Sequence, residues 1–180
     1  MIAGLARLIS RFRRTQDGSA TVEFAILFPA FLAVFISAYE SGMMMVRNVM
    51  LERAVDLAVR DLRLGTPVPP SFNEFKNLIC DNIVVLSNCT DVIQVELEPV
   101  DPNTWTGLTG QVRCIDQDSP INPLDQTRYA VGEDNEMMFV RVCALYQPFF
   151  PSSVFGMRMP SDGNGNYALV ATSAFVNEPN

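Results

Sequence analysis

The chain has 180 residues, 48% of them hydrophobic, and a formal net charge of −7, so it has room for about one domain and an additional segment. It contains no histidine, which excludes His-based catalytic triads, imidazole general bases and histidine-ligated metals. Residues 19–180 carry the negative charge, with nine basic and nineteen acidic residues. An acidic surface repels phosphate backbones, so the composition argues against nucleic-acid binding.

The first 18 residues are basic and directly precede an apolar run. Positive residues that flank a spanning helix stay in the cytoplasm, so we expect residues 1–18 to lie inside the cell and the rest of the chain outside it. This topology predicts a single-pass protein of the inner (cytoplasmic) membrane with a periplasmic or extracellular C-terminal domain. The arginines that set it are Arg7, Arg11, Arg13 and Arg14.

An uncharged, mostly apolar run extends from Phe24 to Tyr39. Counted from Ser19, the segment is long enough to cross a hydrocarbon core of ~30 Å at ~1.5 Å per residue. A secretory signal peptide also combines a basic start with an apolar stretch, but it keeps that stretch free of charge, whereas Glu23 lies at the start of this one. We therefore predict a spanning helix, kinked near Pro29 because proline removes a backbone hydrogen bond.

Helical patterning continues beyond this run to Leu64. From Met43 onward the helix contains no proline, and Gly65 and Pro67 provide a stop. We predict one unbroken helix over residues 19–64, whose second half projects from the membrane and packs an apolar stripe on a folded domain. The apolar residues that recur at spacings of three and four are Val46, Met50, Ala54, Leu57, Ala58 and Leu62.

The pattern of residues 65–180 is typical of a small α+β domain. The stretch NEFKNLICDNIVVL (73–86) predicts a short helix. Alternating apolar residues predict an antiparallel sheet of about four strands, packed on the projecting half of the long helix in a pilin-like arrangement. The predicted strands are DVIQVELEP (91–99), GQVRCID (110–116), EMMFVRVCALYQPF (136–149) and YALVATSAFVNE (167–178).

The four cysteines lack the close C-x-x-C pairs of common zinc sites, and the chain has no histidine to complete such a site. The predicted topology places them in an oxidising compartment, which favours two disulfides. Four buried free thiols are the alternative, and they would contradict that topology. Among the possible connectivities we favour a local Cys80–Cys89 loop and a Cys114–Cys143 link between predicted strands.

Two turn-rich segments carry oxygen-bearing side chains. The acidic residues at 133–136 could pair as general acid and base, but an acidic cluster in a turn is usually a solvated surface. Asp162, Asn164 and Asn166 alternate with glycines and form a weak Ca²⁺ candidate, because no acidic ligand follows them. We expect a glycine-rich hairpin loop there, no other metal site and no enzyme activity.

Glu23 stands out because a carboxylate in a spanning helix costs roughly 2.5–3.5 kcal/mol at the bilayer centre and less near its edge. Four residues separate it from Gly18, and Phe24 and the apolar run follow it. After a basic leader, this arrangement resembles that of type IV prepilins and pseudopilins. Residues 11–42, RFRRTQDGSATVEFAILFPAFLAVFISAYESG, are similar to the start of TadE-like proteins of the tight-adherence (Flp pilus) system. The ending FVNEPN (175–180) also resembles that family.

The resemblance implies that a prepilin peptidase cleaves after the glycine and that the glutamate, as fifth residue of the mature chain, sets subunit register during assembly. The processing motif is Gly18, Ser19, Glu23 and Phe24. The implied partners are this peptidase, other pilin and pseudopilin subunits, inner-membrane pilus assembly proteins and membrane lipid, and no cofactor is implied.

The resemblance therefore implies a minor pseudopilin or assembly component of a Flp-type pilus or related secretion machine. Its parts would be a basic cytoplasmic leader (1–18), a transmembrane and projecting helix (19–64) and an exported domain (65–180). Two alternatives stay open. The first is an uncleaved single-pass membrane anchor that carries a periplasmic binding or scaffold domain. The second is a secreted protein released by ordinary signal peptidase.

Overall fold

The chain folds into a long N-terminal helix packed on a small antiparallel sheet. The computed structural model describes residues 19–63, 69–86, 88–105, 128–153 and 165–178. Its elements are α1 (Ser19–Arg63), α2 (Phe72–Asp81), α3 (Cys89–Val92), β1 (Ile93–Pro99), β2 (Met137–Tyr146) and β3 (Tyr167–Val176). The predicted α+β class, with the long helix against the sheet, is confirmed.

Helix α1 is continuous over 45 residues and passes through Pro29. At ~1.5 Å per residue this length corresponds to about 67 Å, more than twice the thickness of a hydrocarbon core. The predicted end at Leu64 lies one residue beyond the described range. The helix thus has an apolar half that precedes the folded domain and a second half that belongs to it. The kink near Pro29 stays a prediction.

The second half of α1 packs one face against the sheet. The buried residues on this face recur at intervals of three and four positions, as a helix of 3.6 residues per turn requires. The prediction was wrong for Val46 and Leu57, which are 45% and 37% exposed. Two neighbouring rows of apolar side chains run along this helix. Val46 and Leu57 lie on the exposed row, and the sheet covers the other one. The buried residues are Leu51, Ala54, Val55, Ala58 and Val59.

The sheet has the order β1-β2-β3, and both neighbouring pairs are antiparallel. Alternation along each strand turns one set of side chains toward the helices. On β1 this set is Ile93, Val95 and Leu97, and all three are buried. The described residues form three strands, so the count of about four was overstated. GQVRCID (110–116), the remaining predicted strand, lies outside the described residues.

A disulfide and a buried lysine join α2 to α3. The structure links Cys80 to Cys89, the local pair that the sequence favours. The Lys76 ammonium donates a hydrogen bond to the Thr90 carbonyl at 2.7 Å, and burial lowers the pKa of this lysine. Cys143 on β2 is also disulfide-bonded. Its predicted partner, Cys114, lies outside the described residues.

Helix α1 and strand β3 run in the same direction. Near the end of both elements, the Arg63 guanidinium pairs with the Glu178 carboxylate at 3.0 Å. At the other end of the sheet, Tyr146 of β2 lies opposite Tyr167 of β3. The β2–β3 loop leaves the sheet at this second end and contacts α1 at Glu40. This end of the domain therefore adjoins the apolar half of α1.

The packing of α1 generates a stability prediction. Leu51→Ala removes a side chain that is 0% exposed, so it should lower the free energy of unfolding by about 2–5 kcal/mol. Leu57→Ala, on the exposed row of the same helix, is the matched control and should have a much smaller effect. The measurement is urea unfolding of the full chain in detergent micelles, followed by near-UV circular dichroism. Equal losses in the two variants would contradict the assigned face.

Candidate functional site

The first turns of α1 carry the described part of the prepilin-like motif. The helix begins at Ser19, and Glu23 and Phe24 are exposed on its surface. The Phe24 ring stacks on Phe28, with 4.7 Å between ring centroids. Gly18 and the leader arginines lie outside the described residues. At this end of α1, Glu23 and Phe24 are therefore placed where lipid or a neighbouring chain can contact them.

The apolar half of α1 exposes large side chains around its whole circumference. Its Ser37 hydroxyl donates to the Ala33 carbonyl at 2.8 Å, so the helix itself satisfies this polar group. Within the described ranges, α1 is the one helix that is long and apolar enough to cross a membrane. A helix that is apolar on all sides needs lipid or other helices around it. The exposed residues are Val22, Phe24, Ile26, Leu27, Phe28, Phe31, Leu32, Val34, Phe35 and Tyr39.

Glu40 is the first charged residue after this run, and only 1% of its surface is exposed. Its carboxylate accepts hydrogen bonds from two successive backbone N–H groups. The Phe149 N–H lies 3.2 and 3.1 Å from the two carboxylate oxygens, and the Phe150 N–H lies 3.1 Å from one of them. Successive N–H groups form an anion-binding concavity, and hydrogen bonds to an ionised acceptor are about twice as strong as neutral ones. Glu40 thus attaches α1 to the β2–β3 loop.

Aromatic rings and one arginine surround the Glu40 contact. Tyr39 packs edge-on against Phe149 and Phe150, with ring centroids 5.8 and 6.2 Å apart. The Arg47 guanidinium lies over the Phe149 ring, 4.9 Å from its centroid, and donates to a backbone carbonyl of the same loop at 3.2 Å. We call Tyr39, Glu40, Arg47, Phe149 and Phe150 the helix–loop junction.

Residues 18–60 match the family model described as TadE-like protein. The N-terminal segment of this chain is TadE-like. The match includes the motif residues Gly18, Glu23 and Phe24 and extends through Glu40, and it confirms the predicted family. TadE-like proteins are associated with the tight-adherence (Flp) pilus, and their role is structural. No curated protein and no solved structure matches the chain.

The burial of Glu40 could have been predicted from helical spacing within the TadE-like segment, but the sequence prediction did not use this pattern. From the sequence, Glu40 was only the charge that ends the apolar run. Helical spacing nevertheless places Glu40 on the face of α1 that the domain covers, because residues 4, 7, 11 and 14 positions after it lie on the same face of a helix. An acid on a buried row needs a hydrogen-bonding partner. The later members of the row are Met44, Arg47, Leu51 and Ala54.

Two tyrosines support the junction from the sheet. The rings of Tyr146 and Tyr167 meet edge-on across β2 and β3, with 5.7 Å between centroids. Burial raises the pKa of Tyr146 to about 12, against the opposing effect of the Arg47 guanidinium 4.7 Å from its ring. Burial also raises the pKa of Tyr167. Both phenols are therefore neutral at physiological pH, and the Tyr146 ring is a packing surface beneath Arg47.

A cavity of about 500 Å³ adjoins the junction. Its polar lining includes Arg47, Asp91, Gln147 and Asn166. Across the described part of the chain, no group of three Cys, Asp or Glu side chains is placed to hold a metal ion. Chemically, the geometry of the junction provides for attachment: buried hydrogen bonds and stacked rings hold a helix to a loop.

The two other predicted groups of side chains lie elsewhere. In the acidic turn, the Glu136 carboxylate accepts a hydrogen bond from the Glu133 N–H at 2.8 Å, so it stabilises the turn that leads into β2. Of the weak Ca²⁺ candidate, Asn166 precedes β3, whereas Asp162 and Asn164 lie outside the described residues. The acidic turn thus has a structural role in the described residues, and the Ca²⁺ candidate stays a prediction.

The helix–loop junction generates a test by hydrogen exchange. Glu40→Ala removes the charged acceptor of the partly buried Phe149 and Phe150 N–H groups, and a hydrogen bond to a charged group contributes about 1.5–3 kcal/mol. Local opening of the loop should therefore become easier, and both amides should exchange about tenfold faster or more, since ~1.4 kcal/mol corresponds to a factor of ten. Exchange is measured by mass spectrometry on the full chain in micelles.

Glu52→Ala is the matched control. Glu52 lies on the same helix, is exposed and accepts a hydrogen bond from the Asn48 amide at 2.9 Å. Its replacement should leave the exchange of the β2–β3 loop unchanged. Glu40→Gln keeps one acceptor oxygen and should give an intermediate rate. Unchanged exchange in Glu40→Ala would contradict the assigned attachment.

Proposed function

We propose that this protein is a minor pseudopilin or assembly component of a Flp-type pilus or related secretion machine. The observation that carries the proposal is the spacing of Gly18, Glu23 and Phe24 at the start of an exposed apolar helix, within the TadE-like match. The protein acts by assembly and contact. Its partners are a prepilin peptidase, other pilin and pseudopilin subunits and inner-membrane pilus assembly proteins.

The proposed protein has three parts. Residues 1–18 form a basic cytoplasmic leader, residues 19–64 form the spanning and projecting helix, and residues 65–180 form the exported domain. The leader arginines support this orientation, because positive residues are retained on the cytoplasmic side. The Cys80–Cys89 disulfide supports export of the domain, since disulfides persist in oxidising compartments.

Processing and assembly are linked through Glu23. Cleavage after Gly18 makes Ser19 the new N-terminus and leaves a cationic amine there. A carboxylate from one subunit and an amine from its neighbour offset the cost of burying either charge in lipid. Because this neutralisation requires the two groups to meet, it favours a single register between neighbouring helices. The exposed Phe24 and the apolar residues that follow it provide the remaining helix–helix contacts.

The first test identifies the mature N-terminus. We expect the membrane-extracted protein to begin at Ser19 in cells that contain their prepilin peptidase and to retain residues 1–18 in cells that lack it. Intact mass without reducing agent should correspond to two disulfides. Retention of the leader in both strains would favour the uncleaved anchor with a periplasmic binding or scaffold domain, and a start near Tyr39 would favour a secreted protein.

The second test addresses the role of Glu23. Glu23→Ala should leave cleavage after Gly18 mostly intact, because the peptidase acts at the glycine, but it should reduce pilus formation because the register contact is lost. Piliation is counted by electron microscopy, and processing is followed by mass. Glu52→Ala, an exposed acid on the exported half of the same helix, is the control and should assemble normally. Normal piliation in Glu23→Ala would exclude the register role.

A further inference from the structure

The helix–loop junction places three aromatic rings at the end of the apolar run. Tyr39 contacts both Phe149 and Phe150, and the three residues remain 44%, 51% and 40% exposed. We call these three residues the aromatic patch. Two of them belong to the β2–β3 loop, more than a hundred residues away in sequence from the apolar run. The patch therefore extends the apolar surface of α1 sideways onto the folded domain.

The depth of the patch follows from the geometry of α1. The segment from Ala20 to Tyr39 has 20 residues, and at ~1.5 Å per residue it spans about 30 Å, the thickness of a hydrocarbon core. If this segment crosses the membrane, Tyr39 lies at the boundary between acyl chains and headgroups. Glu40 holds Phe149 and Phe150 at the same level through its hydrogen bonds to their N–H groups.

The chemistry of the patch suits this boundary. Aromatic side chains are enriched at membrane–water interfaces, with apolar rings toward the acyl chains and polar atoms toward the headgroups. Arg47 lies two turns farther along α1, and helical side chains tilt toward the N-terminus, so its guanidinium reaches back over Phe149. Arg47 is partly buried, and at this height its cationic group is within reach of the phosphates of the lipid headgroups. The loop thus presents rings to the acyl boundary, and Arg47 of α1 provides a cation beside the phosphate layer.

We propose that the aromatic patch is a second membrane contact, by which the rings of Phe149 and Phe150 rest in the interfacial layer of the outer leaflet. The inference rests on the proposed insertion of α1. With a single helix as anchor, the exported domain can tilt about the point where the helix leaves the membrane. A second contact beside the helix restricts that tilt and fixes the height of the domain above the lipid.

Depth-dependent fluorescence quenching tests the proposal on the full chain in phosphatidylcholine vesicles. The chain has a single tryptophan, Trp105, so the double variant Trp105→Phe, Phe149→Trp reports on the loop alone. The quenchers are phosphatidylcholines brominated near the headgroup or deep in the acyl chain. We expect the emission of this double variant to lie at shorter wavelength than that of the native chain. It should also lose more intensity with the shallow quencher than with the deep one. Phe150→Trp, again with Trp105→Phe, repeats the measurement at the neighbouring position.

Two control tryptophans give the quenching expected outside the membrane and in the middle of the acyl chains. Trp105 in the native chain follows β1 at the far end of the sheet, about 33 Å from the patch along a ten-residue strand, and should not be quenched. Phe31→Trp, with Trp105→Phe, lies in the middle of the apolar run and should lose more emission with the deep quencher.

The controls also separate the two proposals. Quenching of Phe31→Trp without quenching at either loop position would overturn the second contact and leave the anchor intact. No quenching of Phe31→Trp would overturn both the membrane insertion of α1 and the inference that rests on it.

Discussion

The hydrogen bonds between the Glu40 carboxylate and the backbone of the β2–β3 loop fix the height of the folded domain on α1. A 45-residue helix offers many places where a sheet could dock. An acid on the covered row restricts this choice, because a buried carboxylate without partners is costly whereas one that accepts several N–H groups is stable. Sliding the domain by one helical turn would break these bonds. The position of the sheet and the loop therefore both depend on this residue.

Because α1 is continuous, the attachment at Glu40 couples the orientation of the folded domain to that of the apolar half of the helix. The same helix supplies the apolar run and one wall of the core formed by residues such as Leu51 and Val55. A rod without an interruption transmits the orientation of one half to the other. Contacts made by the first half with neighbouring helices would therefore set the position of each domain, and the domain in turn would limit which helix arrangements are possible.

Periodicity and composition predicted those features that depend on local sequence. The long helix follows from an apolar run that continues into spacings of three and four, and β1, β2 and β3 follow from alternation. The buried face of α1 was only partly predicted, because two adjacent apolar rows satisfy the same spacing and the choice between them is made by the sheet. Val46 and Leu57 lie on the row left outside.

The partner of Glu40 could not be predicted for a different reason. The Phe149 and Phe150 N–H groups are 109 and 110 residues away, and backbone donors have no sequence signature. Only the tertiary fold brings them to the helix. The motif around Glu23, by contrast, could be recognised from the sequence because its residues are close together in the chain. It lies within the TadE-like match over residues 18–60. The proposed role of Glu23 in subunit register, however, involves other chains.

The two acids that bound the apolar run have different requirements. Glu40 is buried and accepts hydrogen bonds from two N–H groups of its own chain, so it stabilises the fold of that chain. Glu23 is exposed and 17 residues earlier, which in a regular helix is about 25 Å along the axis and about 100° around it. The domain covers the Glu40 side of the helix, so Glu23 lies on a side that the domain does not cover. Glu40 thus stabilises the fold of its own chain, whereas the proposed role of Glu23 is a contact between chains.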